Sequence, residues 1–376
     1  MRIFRLILNI RDFIELIILY LNFEVHIMEK MIAAVFRKHE KGGGEVKLEE
    51  VDVPQISRND QILIEVESSG ICGTDIKIIT GGHPANDNTI LGHEFAGSIK
   101  EVGSDVTDLK IGDKVVVDPN EKCGYCDNCR RGLSSLCEYM ATGTTFGIFQ
   151  NGGFAKYCVL PRSSVFKLPD NIDMTAAALI EPLSCAVHCH NMADVKESDN
   201  VVIMGAGPMG LIIESVIRKH PIKQLISVEI DEWRLKKALE LGADHVINPQ
   251  KQDLQKEIMD LTNKNGADVI IDAVGISATF ENALKIWAHG ARVICFGQDT
   301  RAEAIVRPND IVRYQRKIMG SYIGYAEDFL DAIELIANGV IDVDKIITHK
   351  IPLNGLLKTG FELMKERKCV KVITHP

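Results

Sequence analysis

The sequence predicts an α/β fold with two domains, a β-rich barrel-like domain and a doubly wound parallel sheet. Its 376 residues exceed the size of most single domains. Residues from about 31 to 170 contain short β-branched runs bounded by Gly, Pro, Asn and Asp, which are typical of strands and turns. From about residue 199, apolar strand-like runs alternate with helical segments, beginning with NVVIMGAG. This alternation predicts parallel strands joined by helices.

Composition and charge restrict the class of protein. Hydrophobic residues make up 46% of the chain and charged residues 25%, as in ordinary globular proteins with a sizeable core. The net charge of −9 argues against a nucleic-acid-binding surface. Ten cysteines and no recognisable cleavable signal favour a reducing compartment, where thiols bind metal or are buried. We therefore expect a cytoplasmic protein.

The first 27 residues are unusually apolar. Charged residues interrupt them and leave Leu16–Leu21 as the longest apolar part, far shorter than the roughly 20 residues of a membrane span. We therefore expect no stable membrane insertion. The run MIAAVFRKHE from Met31 predicts the first strand, so residues 1–30 are interpreted as an N-terminal extension or an overcalled start. An amphipathic helix on a membrane surface is the alternative.

Four closely spaced cysteines predict a structural zinc site. They follow the pattern C-x2-C-x2-C-x7-C at Cys123, Cys126, Cys129 and Cys137. Thiolates at this spacing can converge on one tetrahedral Zn²⁺. Four cysteine ligands leave no coordination position for a substrate, so the site is expected to be structural. Free thiols or a disulfide are the alternative interpretation.

A glycine-rich turn follows the first strand of the predicted parallel sheet. The strand NVVIM runs directly into a G-x-G-x-x-G pattern, in which we assign cofactor binding to Gly205, Gly207, Pro208, Met209 and Gly210. Glycines allow a tight turn and a close approach to a pyrophosphate, and the following helix directs its N–H groups toward that group. The pattern alone is weak, but its position between a strand and a helix predicts a dinucleotide site. A glycine-rich turn without a ligand is the alternative.

Glu229 and Arg234 bear on the choice of dinucleotide. Glu229 closes the second strand of the predicted sheet, about 20 residues after the glycines, where a carboxylate commonly binds the adenosine ribose hydroxyls. Its charge would repel the 2′-phosphate of NADP, which favours NAD. Arg234 lies close by in the sequence and leaves NADP open.

A second group of potential metal ligands is dispersed along the chain. Its members are Cys72 in GICGTD, His93 and Glu94 in LGHEFAG, and Glu181 in IEPLS. A thiolate, an imidazole and one or two carboxylates would form an open Zn²⁺ site with room for water or substrate. Spacing alone does not select these residues, because a lone Cys72 is more often a core residue and Glu181 could be a charge at a helix start.

These motifs together resemble the medium-chain zinc-dependent alcohol dehydrogenase superfamily, and in particular its polyol and sugar-alcohol dehydrogenase branch. The resemblance covers nearly all of the chain from Met31 to Pro376. It rests on specific motifs in a fixed order, namely GICGTD, LGHEFAG, the four-cysteine lobe, NGGFAKY, EPLSCAVH, GAGPMG and ITHK. It implies a GroES-like β-barrel catalytic domain combined with a Rossmann dinucleotide-binding domain.

The resemblance assigns roles to the dispersed ligands. It implies that Cys72 and His93 bind a catalytic zinc ion. Glu94 is implied to be a direct ligand or a close neighbour, and Glu181 a ligand or the residue that holds water at the site. Which of these two carboxylates binds the zinc ion directly stays open. With the four cysteines as structural ligands, we expect two Zn²⁺ ions per chain and NAD as the hydride acceptor.

The resemblance also implies a proton relay. Thr74 matches the family's Ser or Thr that takes the alcohol proton. Many relatives end the relay at a His five residues after the cysteine, whereas this chain has Lys77 there. Either Lys77 takes that role or the proton leaves through water.

The interrupted barrel of the family predicts the domain boundaries. Residues 31–183 would form the catalytic domain with its zinc lobe, residues 184–317 the dinucleotide-binding domain, and residues 318–376 a return to the catalytic domain. The active site would then lie in the cleft between the two domains.

The expected activity is hydride transfer to NAD from a secondary alcohol, namely a polyol, a sugar alcohol or its phosphate. We expect a homodimer or homotetramer that binds a small-molecule alcohol. Oxidation of an amino alcohol, as by threonine 3-dehydrogenase, is disfavoured because EPLS resembles the polyol branch rather than the DPFG of that group. The alternative from another class is a catalytically silent regulator that binds zinc and a dinucleotide.

Overall fold

The computed structural model of the protein describes residues 29–376 and contains a mixed sheet, a parallel sheet and a two-stranded hairpin. The predicted extension, residues 1–30, lies outside the described part except for its last two residues. None of the helices in the described part combines the length and the hydropathy that a membrane crossing requires.

The first half of the described chain is built mainly from strands, as predicted. Its strands are β1 (Lys30–Lys38), β2 (Gly44–Asp52), β3 (Gln61–Gly70), β4 (Glu94–Val102), β5 (Lys114–Val117), β6 (Tyr157–Pro161) and β7 (Val165–Lys167). The helices among them are α1 (Gly73–Ile79), α2 (Asp127–Arg130) and α3 (Met174–Ala177). β3 pairs antiparallel with both β4 and β6, and β5 pairs antiparallel with both β4 and β7.

The hairpin of β1 and β2 closes with a turn at the glycine run of residues 42–44. Lys38 pairs with Gly44 at its closed end, and Gly42 and Gly43 have φ of +92° and +64°. These left-handed conformations favour glycine. Gly43 also lies close to α1, where an added Cβ would stand 2.6 Å from the Ile79 carbonyl oxygen. A larger residue would therefore push the hairpin away from α1.

The second half contains the predicted parallel sheet. Its six strands are β8 (Asn200–Met204), β9 (Gln224–Val228), β10 (His245–Ile247), β11 (Ala267–Asp272), β12 (Trp287–Cys295) and β13 (Lys317–Gly320). The helices of this half are α4 (Ile180–Ala193), α5 (Pro208–Ile217), α6 (Glu232–Leu241), α7 (Leu254–Leu261), α8 (Ser277–Ile286) and α9 (Pro308–Tyr314). Neighbouring strands are parallel in the order β10-β9-β8-β11-β12-β13. The chain therefore reverses its direction across the sheet between β8 and β11, which is where doubly wound sheets bind ligands.

At the central strands β8 and β9, both faces of this sheet are buried, as expected for parallel strands covered by helices. In β8, Val201 and Ile203 belong to one hydrophobic cluster, together with residues of α4 and α5. Val202 and Met204 belong to a second cluster, together with residues of α7 and α8. The continuous apolar run NVVIM follows from this burial on two sides, because successive side chains enter different cores.

The last part of the chain joins the two halves. It contains α10 (Ala326–Ala337), α11 (Val343–Ile346), β14 (Ile347–Pro352), α12 (Phe361–Lys365) and β15 (Lys371–His375). β14 and β15 are parallel, and β15 pairs antiparallel with β3 through Ile373 and Gly70. The predicted boundaries after residues 183 and 317 fall inside α4 and β13, so both lie within regular elements.

Candidate active site

Cys72 lies between β3 and α1. It is the N-cap residue of α1, with an extended backbone at φ −107° and ψ 155°. The Asp75 carboxylate accepts a hydrogen bond from the Cys72 amide at 2.9 Å, which ties the N-cap residue to the first helical turn. The Cys72 thiol is thereby held at a fixed strand-to-helix turn. Thr74 follows in the first turn of α1, with its hydroxyl oxygen 3.6 Å from the Cys72 sulfur.

Strand pairing places His93 and Glu94 beside Cys72. β4 begins at Glu94, which pairs with Gly70 at the end of β3. An added Cβ at Gly70 would stand 2.2 Å from a Glu94 carboxylate oxygen, so a larger residue there would displace the carboxylate. Ligand atoms of Cys72, His93 and Glu94 lie within 4.8 Å of one another. The structure thus brings together three of the four dispersed residues.

Glu181, the fourth residue, lies near this group but outside it. It is in the first turn of α4 and is buried. Burial raises the pKa of Glu181 to about 7, while His93 lowers it and Glu94 raises it further. The charge of Glu181 therefore acts on two members of the group.

The group carries more acidic than basic side chains. Burial by itself would lower the pKa of His93, but the surrounding acidic groups, above all Cys72, raise it to about 10. Burial raises the pKa of Asp75 to about 6. The neighbouring acidic side chains thus favour a positive charge at this position. A half-buried thiol with a buried imidazole and a buried carboxylate is the donor set of a Zn²⁺ site with an open position.

Lys371 supplies a positive charge that the sequence analysis missed. Its ammonium group donates a hydrogen bond to Glu94 Oε1 at 2.6 Å, and the two residues are 2% and 1% exposed. Burial acts to lower the pKa of Lys371, but the pKa is raised because Glu94 and Cys72 outweigh this effect. The only signal in the sequence was a single lysine inside the apolar run CVKVIT, which becomes buried in β15.

The four-cysteine lobe forms a second, closed group. The sulfur atoms of Cys123, Cys126, Cys129 and Cys137 lie within 4.8 Å of one another. The Cys126 amide donates to the Cys123 sulfur, and the Cys123 amide donates to the Cys137 sulfur, each at 3.3 Å. Gly124 has a φ of +76°, which lets the chain turn between the first two cysteines. Four converging thiols fit one tetrahedral Zn²⁺ with no open position.

The glycine-rich turn lies at the carboxyl end of β8, where the sheet reverses its direction. Gly205 has a φ of +98°. An added Cβ at Gly210 would stand 1.9 Å from the Gly205 carbonyl oxygen, so glycine is required at both positions. Gly207 is the N-cap of α5, and Pro208 and Met209 begin that helix. The five residues therefore lie where a pyrophosphate would meet the start of the helix.

Glu229 and Arg234 lie against the same turn. The Glu229 carboxylate accepts hydrogen bonds from the backbone amides of Ala206 at 3.1 Å, Ile230 at 2.7 Å and Asp231 at 3.2 Å. Arg234 Nη1 is 3.9 Å from Glu229 Oε2. The two residues that bear on the choice between NAD and NADP are therefore neighbours of opposite charge at the end of β9.

Exposed apolar side chains flank this turn, and the sequence analysis missed them. Ile230 and Trp233 follow β9, Val274 and Ile276 follow β11, and all four are between 37% and 45% exposed. Because β8 lies between β9 and β11, these residues stand on both sides of the turn. Apolar surfaces with a few polar groups are typical of cofactor sites. Apolar residues just beyond the strand ends, in SVEIDEW and DAVGI, were the available signal.

Lys77 is in the last turn of α1. Its ammonium group donates a hydrogen bond at 3.0 Å to the carbonyl oxygen of Gln298, which follows β12. This contact joins α1 to the loops of the parallel sheet, and it involves a residue whose role the sequence left open.

A strained residue lies between β13 and α10. Ile323 has a φ of +48°, which a β-branched residue rarely adopts. The next residue, Gly324, packs against α4, where an added Cβ would stand 2.5 Å from Ser184 Oγ. Ser184 in turn donates to the Glu181 carbonyl oxygen at 2.6 Å. Strain of this kind, roughly 1–3 kcal/mol, is common at functional sites, and no sequence pattern indicated it here.

Comparison with known proteins identifies the class of protein. Residues 58–170 match the alcohol dehydrogenase GroES-like domain, and residues 208–338 match the zinc-binding dehydrogenase domain. The chain therefore belongs to the zinc-dependent alcohol dehydrogenase family, with a GroES-like part and a Rossmann part. This confirms the resemblance that the motifs indicated.

Individual relatives are similar to this chain over most of its length. The chain is 32% identical over 340 residues to the sorbitol dehydrogenase of Bacillus subtilis, covering 88% of this chain and 94% of that protein. It is 35% identical over 350 residues to the L-threonine 3-dehydrogenase of Pyrococcus furiosus, covering 92% of this chain and 98% of that protein. Among solved structures, a zinc-binding dehydrogenase of Sinorhizobium meliloti bound to NADP is similar with a TM-score of 0.84 and 29% identity, covering 92% of this chain and 99% of that one.

Proposed function

We propose that this protein oxidises a secondary alcohol, namely a polyol, a sugar alcohol or a sugar-alcohol phosphate, and transfers the hydride to NAD. The observation that carries the proposal is the open group of ligands formed by Cys72, His93 and Glu94. It occurs in a chain that also has a glycine-rich turn for a dinucleotide. The similarity to a sorbitol dehydrogenase supports the polyol class of substrate.

Two zinc ions per chain are part of this proposal. Cys72, His93 and Glu94 would hold the catalytic ion, and the structural ion would be held by Cys123, Cys126, Cys129 and Cys137. When bound, the catalytic ion lowers the pKa of an alcohol hydroxyl and favours hydride release from the carbinol carbon. Glu181 stands outside the ligand group, so its carboxylate would instead accept a hydrogen bond from a water molecule or a substrate hydroxyl.

Thr74 would receive the proton of the substrate hydroxyl. Its Oγ1 is 3.6 Å from Cys72 Sγ, so it reaches the ligand group from the first turn of α1. A hydroxyl can accept one proton while it donates its own, which a relay requires.

Glu229 supports NAD as the cofactor. Its carboxylate, at the end of β9, would accept hydrogen bonds from the adenosine ribose hydroxyls and would repel a 2′-phosphate. Arg234 lies 3.9 Å from this carboxylate, and the Sinorhizobium meliloti relative is bound to NADP. The preference between the two cofactors therefore needs its own measurement.

The test of the activity is turnover of a substrate panel by the purified, zinc-loaded protein. NADH formation would be measured with polyols, sugar-alcohol phosphates, L-threonine and simple secondary alcohols. We expect polyols or their phosphates to give the highest kcat/KM. Highest turnover of L-threonine would favour an amino-alcohol dehydrogenase, an alternative supported by the 35% identity to the Pyrococcus furiosus enzyme. Binding of zinc and NADH without any turnover would favour a silent regulator.

We also propose that the protein is a homodimer or homotetramer. β13 is an edge strand of the parallel sheet, and an edge strand presents a row of backbone groups for pairing. Ile305 and Val312, which precede β13 in the chain, are 88% and 77% exposed. A second copy of this chain along β13 would pair the backbone groups and cover the apolar residues. Light scattering should detect the oligomer and a smaller species for Val312→Asp, whereas an unchanged mass would place the interface elsewhere.

A cytoplasmic location is proposed from the cysteines. None of the ten forms a disulfide within residues 29–376, which fits a reducing compartment. Fractionation of cells that produce the tagged protein tests this location.

A further inference from the structure

We propose that Lys77 is a positioning residue that holds α1 against the parallel sheet across the cofactor cleft, and that it does not relay protons. The proposal rests on the proposed function only in taking the cleft to be the cofactor site. It starts from the hydrogen bond between Lys77 Nζ and the Gln298 carbonyl oxygen, at 3.0 Å. The two residues are 221 positions apart in the sequence.

The base of the Lys77 side chain is fixed. Its backbone carbonyl accepts hydrogen bonds from the amides of Gly82 at 2.7 Å and His83 at 3.2 Å. An added Cβ at Gly82 would stand 3.7 Å from Lys77 Cβ, so the loop after α1 lies in contact with the start of the side chain. The ammonium group therefore extends toward the sheet from an anchored position.

The carbonyl that Lys77 reaches is also fixed. Gln298 follows Gly297, whose backbone packs against the loop after β11, since an added Cβ at Gly297 would stand 2.3 Å from the Val274 carbonyl carbon. On the other side, Arg301 holds Asp299 through two hydrogen bonds of 3.0 Å. The hydrogen bond with Arg301 lowers the pKa of Asp299 to about 2. The residue before Gln298 is thus packed against the loop after β11, and the Asp299–Arg301 pair is a local contact within the same loop.

The position of this contact links two parts of the site. α1 carries Cys72 and Thr74 at its start and Lys77 at its end. Gln298 follows the carboxyl end of β12, in the sheet whose carboxyl edge carries the glycine-rich turn. A bound dinucleotide would lie along this edge. The Lys77 contact therefore sets how closely α1 approaches the cofactor.

The same contact argues against a relay. A protonated lysine has three donors and no acceptor, and its partner is a backbone carbonyl. A relay requires a group that accepts the incoming proton before it releases another. Holding the cleft together, by contrast, requires only a long side chain with a donor at its end, which arginine also supplies.

Binding of NADH tests the proposal without any alcohol substrate. Loss of one hydrogen bond, worth about 1 kcal/mol, should raise the Kd for NADH about fivefold in Lys77→Met, because the cleft must then be ordered upon binding. Lys77→Arg keeps the donor and should stay within about twofold of the wild type. Lys219→Met, at an exposed lysine just after α5, is the matched control and should leave the Kd unchanged.

Two further measurements separate positioning from a relay. Hydrogen exchange of the cofactor-free protein should become faster in Lys77→Met at residues 73–83 and 296–301, with zinc content unchanged. The pH dependence of kcat should keep the same ionisations in Lys77→Met as in the wild type. Loss of an ionisation, or an unchanged Kd together with unchanged exchange, would overturn the proposal. If no alcohol is oxidised but Lys77→Met still weakens NADH binding, the proposed activity fails while the positioning role stands.

Discussion

Lys371 donates a hydrogen bond to Glu94 from the last strand of the chain, and both side chains are almost completely buried. The pair joins β15 to β4 at Glu94, which is itself one of the candidate metal ligands. A buried ion pair contributes little net stability, because taking both charges out of water is costly, but removal of one partner leaves an uncompensated charge. The position of Glu94 therefore depends on the C-terminal strand.

Replacement of Lys371 by methionine should strongly destabilise the zinc-free protein. The buried Glu94 carboxylate would lose its counter-charge, which typically costs about 3–5 kcal/mol. Urea unfolding of the chelator-treated protein measures the loss. Lys371→Arg keeps the charge and should lose less, and adding Glu94→Gln to Lys371→Met should recover part of the stability. Equal stability of Lys371→Met and the wild type would show that the pair does not form.

The two zinc groups should respond differently to loss of a cysteine. Cys137→Ser removes a ligand of the closed group, so stability and zinc content should fall while the folded fraction retains turnover. Cys72→Ser should leave a folded protein without hydride transfer. Elemental analysis and thermal unfolding measure these effects. The assignment of two sites would be wrong if the fully active wild type contained one zinc ion per chain.

The cofactor preference should depend on Glu229. We expect the wild type to prefer NAD over NADP by a factor of roughly 30 to 1,000 in kcat/KM, which corresponds to about 2–4 kcal/mol of repulsion and lost hydrogen bonds. Glu229→Ser should narrow this preference markedly, because Arg234 would then be free to approach the 2′-phosphate. Glu240→Ser, at an exposed glutamate of the same helix as Arg234, serves as the control. Comparable efficiencies with both cofactors in the wild type would place Glu229 outside the ribose site.

Glu214 should make the stability of the protein depend on pH. It is completely buried in α5 and accepts a hydrogen bond from the Ser227 hydroxyl. Burial raises the pKa of Glu214 from 4.5 to about 8, although Ser227 lowers it and Glu229 raises it further. Because the folded pKa is raised, the contribution of this carboxyl to stability is fully present below about pH 4.5 and is lost as the pH rises toward 8.

Glu214→Gln cannot ionise, so it isolates this effect. Relative to the mutant, the wild type should lose about 1.4 kcal/mol of unfolding free energy per pH unit between roughly pH 5 and 8. Denaturant unfolding at a series of pH values measures the difference. Glu281→Gln, at an exposed glutamate of α8, should follow the wild type. A difference between wild type and Glu214→Gln that does not change with pH would mean that Glu214 is ionised in the folded protein.

Parts of the site that are local in the chain could be predicted from the sequence. The turn at Gly205 and Gly210 follows a strand and precedes a helix, so its context is contained in one short segment. The structural group likewise spans only residues 123–137. Cys72 and Glu94 were different, because their proximity depends on the pairing of β3 with β4. No distinctive spacing in the sequence marked these two residues as metal ligands, and only the family resemblance selected them.

By itself, the sequence determined the fold class, the glycine-rich turn and the cysteine lobe, because each depends on residues that are neighbours in the chain. Only the tertiary structure decided that Lys371 contacts Glu94, that Lys77 reaches Gln298 and that Glu214 is fully buried. The first two contacts join residues that are 277 and 221 positions apart. A local pattern in the sequence does not predict contacts over such separations. For the buried side chains of Lys371 and Glu214 the physical reason is the absence of water, which leaves only the polar groups brought close by the fold as hydrogen-bond partners.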